Sequence, residues 1–245
     1  METPATSPVN PEPVSPAEIA TLLRGDVDQI SRWSSAWNTR RVILQLAVII
    51  LGAGAYGAAM GWWRDPQQAL YTALKFPLII LLTTLGNALL NAMLAPLLGL
   101  NLTLRQFLAA MLMSFTVASA ILGGFSPLLT FVICNAPSIT SAASAKGTYN
   151  FILLIQVATI ALAGTIGNAR LLQVLQQWAG DRGIALRVLF AWLAGNLFLG
   201  SQLSWILRPF IGSPGLPVEF VRTAAFHGNF YEAVFHSLLQ IFNIK

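Results

Sequence analysis

Between Lys75 and Arg105 the chain carries no charged residue, and KFPLIILLTTLGNALLNAMLAPLLGL supplies more apolar length than the roughly 20 helical residues that cross a bilayer. The bilayer core offers no water to a peptide bond, so a run of this kind is constrained to be helical. Pro77 and Pro96 fall in its first and last turns, where a missing N–H does least harm. Thr83, Thr84, Asn87 and Asn91 recur near the helical repeat and form one polar stripe, expected to face protein rather than lipid. A helix with such a stripe needs partners, and the remaining chain supplies four.

Composition agrees. Of 245 residues, 56% are hydrophobic and 9% charged, against about 25% charged in soluble domains. The formal net charge of +5 is carried by basic residues scattered singly at the ends of apolar segments. Topology signals and contacts with anionic lipid explain that scatter better than nucleic acid, which is not an expected partner. The expected fold is all-α, a polytopic membrane protein with five transmembrane helices and an amphipathic interfacial helix at each end.

The order along the chain follows from local signals. Residues 1–14, rich in Pro, Ser and Thr, read as a disordered tail, and no charged segment precedes an apolar core there, so the internal helices are expected to direct insertion. Ser15, Pro16 and Glu18 form a helix-start box for an amphipathic helix over 15–37. Its Leu22, Leu23, Val27, Ile30, Trp33 and Trp37 suit either the membrane interface or a partner protein. The five-helix bundle occupies 40–207. Its first span, Val42 to Trp63, places Ala53, Gly57 and Gly61 at intervals of four, a spacing that lets a second backbone approach, within this subunit or across a dimer.

The third span, Phe107 to Cys134, is expected to tilt or kink at Gly123, Gly124 and Pro127. Asn135 to Gly147 reads as a connector, Tyr149 to Ala169 as a fourth span running on past Arg170 towards Trp178, and Val188 to Leu207 as the fifth. Residues 208–245 combine a Pro/Gly-rich turn segment with a carboxy-terminal amphipathic helix from Asn229. Cys134, the single cysteine, excludes an intramolecular disulfide and, among apolar neighbours, is expected to be a buried inert thiol. Arg24, Arg32, Arg40, Arg41, Arg105, Arg170, Arg182 and Arg187 fall on one side; Arg64, Lys75, Lys146, Arg208 and Arg222 fall on the other. That excess favours a cytoplasmic amino terminus, in a bacterial inner (plasma) membrane.

All acidic and basic residues and both histidines fall outside the five spans or at their edges, with Lys75 marking the start of the second. Ion-coupled transport is therefore disfavoured. The polar groups left inside are Gln45, Asn87, Asn91, Gln156, Asn196 and Gln202. Depth in alternating spans pairs Gln45 with Asn91, Asn87 with Asn196, and Gln156 with Gln202. Such amides are either structural glue between helices or the lining of a cavity for a lipid headgroup or small neutral solute. Pairing or an open void decides between the two.

His227, Glu232 and His236 lack metal-ligand spacing, and no nucleophile, base and orienter stand together, so neither metal, cofactor nor enzymatic activity is expected. Arg208, Glu219 and Arg222 are a candidate ion network for docking a partner.

The stretch DPQQALYTALKFPLIILLTTLGNALLNAMLAPLLGL, the following LTLRQFLAAMLMSF and the Gly/Pro-interrupted third span resemble bacterial multi-span proteins grouped with the Yip domain family. The likeness covers roughly Asp65 to Leu207 and implies five spans with a cytoplasmic amino terminus. Eukaryotic members act in vesicle trafficking with small GTPases through an acidic, aromatic amino-terminal motif. That motif is not found in this sequence, and the GTPase role is not implied. The expected function is a non-enzymatic membrane scaffold or accessory subunit, with membrane lipids and other subunits of a membrane complex as partners. The alternative is a transporter-like or lipid-handling protein using an amide-lined intramembrane cavity.

Overall fold

Four of the five crossings begin on a polar cap, because the first turn of a helix leaves backbone N–H groups that lipid cannot satisfy. The computed structural model describes residues 17–25, 38–137, 142–212, 216–223 and 225–232. In order these form α1 (Ala17–Arg24), α2 (Thr39–Trp62), α3 (Pro66–Leu94, extended by a 3₁₀ turn over Ala95–Leu98), α4 (Leu104–Cys134), α5 (Ala142–Ala179) and α6 (Arg182–Leu207). Asn38 accepts from the Arg40 N–H at 2.9 Å, Asp65 from Gln67 at 2.7 Å and Asp181 from Ile184 at 2.8 Å. Thr103 and Gln106 cap α4 reciprocally. Five helices, α2 to α6, are long and apolar enough to cross a membrane, and no strand occurs among the described residues. The chain is an all-α, multi-pass membrane protein.

The second helix of the bundle, α3, is inside-out by soluble standards. Leu70, Leu74, Leu78, Leu82, Leu85 and Leu89 are exposed along one face, while Gln68, Thr72, Lys75, Thr83, Asn87 and Asn91 are buried along the other. The exposed set advances by three or four residues and the buried set by three, four or eight, so they occupy opposite sides of one cylinder. Water outside would punish this arrangement, whereas lipid outside favours it.

Lys75 corrects the sequence reading. The helix begins at Pro66, so Lys75 lies inside it, roughly 14 Å along at about 1.5 Å per residue, and is 0% exposed. The spans therefore do enclose an ionisable side chain.

Small residues set the helix spacing. A Cβ on Gly57 would stand 2.5 Å from the Thr72 carbonyl oxygen, one on Gly61 would stand 2.6 Å from that of Gln68, and Ala53 is fully buried. The Ala53, Gly57 and Gly61 stripe thus lies within this chain's own core, with both glycines against α3. The fourth helix stays one helix through Gly123, Gly124 and Pro127. Pro127 has no N–H for the Gly123 carbonyl, and the Ser126 hydroxyl donates to it instead at 2.8 Å.

Three further expectations are revised. The first helix ends at Arg24, where Gly25 adopts φ +80°, and docks on the bundle, while the rest of the helix expected over 15–37 lies outside the described residues. Its Leu22 is buried with Met113, Val117 and Val174, and Arg170 donates to the Leu23 carbonyl at 2.9 Å. Helix α5 starts at Ala142, inside the expected connector. Cys134 is exposed, on the α4 face that also exposes Leu128 and Phe131. Apolar neighbours in a membrane helix can mean lipid as readily as core, which is why composition misplaced it.

The amino-terminal tail, Trp33 and Trp37, and the carboxy-terminal helix beyond Glu232 lie outside the described residues. Phe230 to Glu232 is helical, with Asn229 accepting from the Glu232 N–H at 2.9 Å. Tyr231 stacks on Phe198 and donates to the Leu197 carbonyl at 3.1 Å, so this segment lies against α6.

The bundle has two ends. The first, beside Asn38, Thr103 and Asp181, is filled by Leu100, Phe107, Leu171, Leu175, Val188 and Trp192. The second, beside Asp65, Cys134 and Leu207, carries Trp63, Tyr149 and the strap of residues 208–212 that leaves α6.

Candidate functional site

The six spanning amides separate into three situations. Asn87 donates to Asn196 Oδ1 at 2.8 Å and to the Trp192 carbonyl at 3.0 Å. Asn91 donates to Asn87 Oδ1 at 2.8 Å. A side chain at position 195 would collide with Asn87 Oδ1, so Gly195 is what lets α3 and α6 approach here. These three asparagines form one network between α3 and α6, with the buried Asn91 Oδ1 left without a partner. Asn91 bonds Asn87 and not Gln45 because residues four apart share a helix face and their side chains meet first.

Gln45 is buried on α2 and Gln202 half-buried on α6, outside this network. Gln156 is 3% exposed, its Nε2 has no hydrogen-bond partner, and it lines a cavity. Depth alone proposed the Gln45–Asn91 and Gln156–Gln202 pairs; helix rotation, which depth does not fix, keeps Gln156 unpaired.

A second polar cluster clamps the strap. Gln68 Nε2 donates to the carbonyls of Pro209 at 3.0 Å and Phe210 at 2.9 Å, and the Thr72 hydroxyl donates to Phe210 at 2.6 Å. Lys75 Nζ donates to the Pro209 carbonyl at 3.0 Å. The ammonium also lies 4.9 Å from the centre of the Phe220 ring and 5.7 Å from that of Tyr71, so carbonyl and π-faces replace its hydration shell. Tyr71 and Phe220 meet edge to face at 5.3 Å, and Arg64 donates to the Leu216 carbonyl at 3.1 Å. The chain after α6 is thereby folded back over the start of α3. Sequence reasoning missed Gln68, Thr72 and Lys75 as a group, although their spacing continues the polar stripe of α3 towards its amino terminus.

The strap walls a cavity of about 380 Å³, within the roughly 300–1,000 Å³ of small-molecule sites. Phe76 and Ile79 of α3 line one side, and Leu153, Val157 and Ile160 of α5 the other. Leu153, Val157 and Ile160 are themselves exposed on the bundle's outer face, so the cavity is a cleft that opens towards lipid. Ser204, Arg208 and Arg222 supply its polar end together with strap residues Pro209 to Gly212.

Arg208 lies over the Trp205 ring, 3.3 Å from its centre. Burial, and then the neighbouring Arg222 charge, pull its guanidinium below the ordinary arginine range. The expected Arg208–Glu219–Arg222 network is not formed: Glu219 is half-buried, and no ion pair joins these three among the described residues. The arginines instead share the cleft.

Among the described residues no group of three His, Cys, Asp or Glu is placed to hold a metal ion, and His236 lies outside them. The geometry offers a polar, cationic end joined to an apolar slot. No family model matches the chain, and neither a curated protein nor a solved structure does.

Proposed function

We propose that this protein is a non-enzymatic, lipid-handling membrane protein that holds an amphiphile in the cleft between α3, α5, α6 and the strap. The observation that carries this reading is the cleft itself: an apolar slot open on the lipid-facing side of α5 and closed at one end by polar groups. A lipid can enter such a site sideways, keeping its chain in apolar surroundings throughout. The excess of basic residues on the amino-terminal side supports an orientation with that side cytoplasmic, in a bacterial inner membrane; in that orientation the cleft opens in the outer half of the bilayer. The Yip-type likeness enters only as kinship of architecture.

A scaffold or accessory subunit is the reading that suits spans free of ionisable groups, and Lys75, buried inside α3, weighs against it. The exposed leucines of α3 are satisfied by lipid and call for no partner protein.

Native mass measurement after purification in mild detergent tests the proposal. One retained lipid per chain is expected, and it should be lost when Val157→Trp fills the slot. A bare chain, or lipid retention indifferent to Val157→Trp, would contradict it.

A further inference from the structure

The polar end of the cleft carries positive charge that no carboxylate among the described residues pairs with. Arg208 and Arg222 both line it, and Lys75 lies directly behind the strap, bonded to the carbonyl of Pro209, which is itself a lining residue. None of the three pairs with a carboxylate among the described residues. Cations gathered at the edge of a low-dielectric slab repel one another and lose hydration, a cost relieved by an anion. Arg208 is suited to the task because the Trp205 ring supports the flat face of its guanidinium, and its buried Nε lacks a partner. A planar fork of N–H donors matches the paired oxygens of a phosphate.

We infer that the cleft takes an anionic amphiphile, with its phosphate oxyanion on Arg208 and Arg222 and a single acyl chain along Leu153, Val157 and Ile160. This rests on the reading of the cleft as an amphiphile site and names the head that the site selects. Charge at the mouth and apolar walls below it favour a lipid over free phosphate, which would leave the slot unfilled.

The test uses the full chain in nonionic detergent, titrated separately with lysophosphatidylglycerol, with a monoacylglycerol of the same chain and with inorganic phosphate, binding being read by native mass measurement. The anionic lipid is expected to bind about tenfold or more tightly than the neutral one, the size of one charge-assisted contact. Inorganic phosphate should neither bind nor compete at equal concentration. Arg208→Gln and Arg222→Gln should each shrink that preference.

Equal affinity for both lipids in the unaltered chain overturns the headgroup assignment but leaves the amphiphile site standing. Binding of neither lipid overturns both. Competition by inorganic phosphate would make the free ion the ligand and overturn the lipid assignment, and a preference that survives both substitutions would overturn the role of these arginines.

Discussion

The two ends of the bundle solve the same packing problem differently. At the first end Leu171, Leu175, Val188 and Trp192 close the space between α5 and α6, and α1 adds Leu22 nearby against α4 and α5. At the second end Leu153, Val157 and Ile160 of α5 border a void of about 380 Å³, and the strap is held by hydrogen bonds to its backbone carbonyls as well as by the apolar packing of Phe210 and Ile211. Lipid is as apolar as leucine, so what stabilises a membrane bundle is close packing and satisfied polar groups. The first end relies on the former. The second combines both and is left with room for a ligand.

Substitutions should separate the two. Leu175→Ala at the first end should be the more damaging, costing about 2 kcal/mol or more, because the cavity it opens is enclosed and nothing collapses into it. Thermal unfolding in detergent would measure this, and a neutral result would mean that the first end is not the packed one.

At the second end the Pro209 carbonyl accepts from both Gln68 and Lys75. Gln68→Leu or Lys75→Met alone should therefore cost less than about 1 kcal/mol, while the double variant orphans that carbonyl and should cost about 1–3 kcal/mol. Hydrogen exchange at Phe210, Ile211 and Gly212 should accelerate in the double variant and stay unchanged around Leu175. Additive single effects would show that the two side chains do not share the strap.

Much of the architecture was legible. Five apolar runs gave five crossings, and the spacing of Thr83, Asn87 and Asn91 placed them on the protein-facing side of α3. What could not be read has a common physical cause. The acceptors of Gln68, Thr72 and Lys75 are main-chain carbonyls of Pro209 and Phe210, and a carbonyl leaves no mark in a sequence. With its acceptors invisible, Lys75 looked like a boundary.

The exposure of Cys134 escapes the sequence because hydropathy does not distinguish a lipid-facing side chain from a core one, and the turn at Gly25 interrupts an amphipathic pattern that runs straight through it. The cleft depends on how far α5 stands from α3 and α6, a property of packing and not of any residue. Of the amides, only Gln156 lies beside it.

The most direct test of the account is a map of the full chain in a lipid bilayer. An elongated density is expected in the cleft, running from Arg208 and Arg222 past Val157 to Ile160, with the strap closed on Gln68, Thr72 and Lys75. A cleft shut by α5 packing onto α6, with no density beside the two arginines, would contradict it.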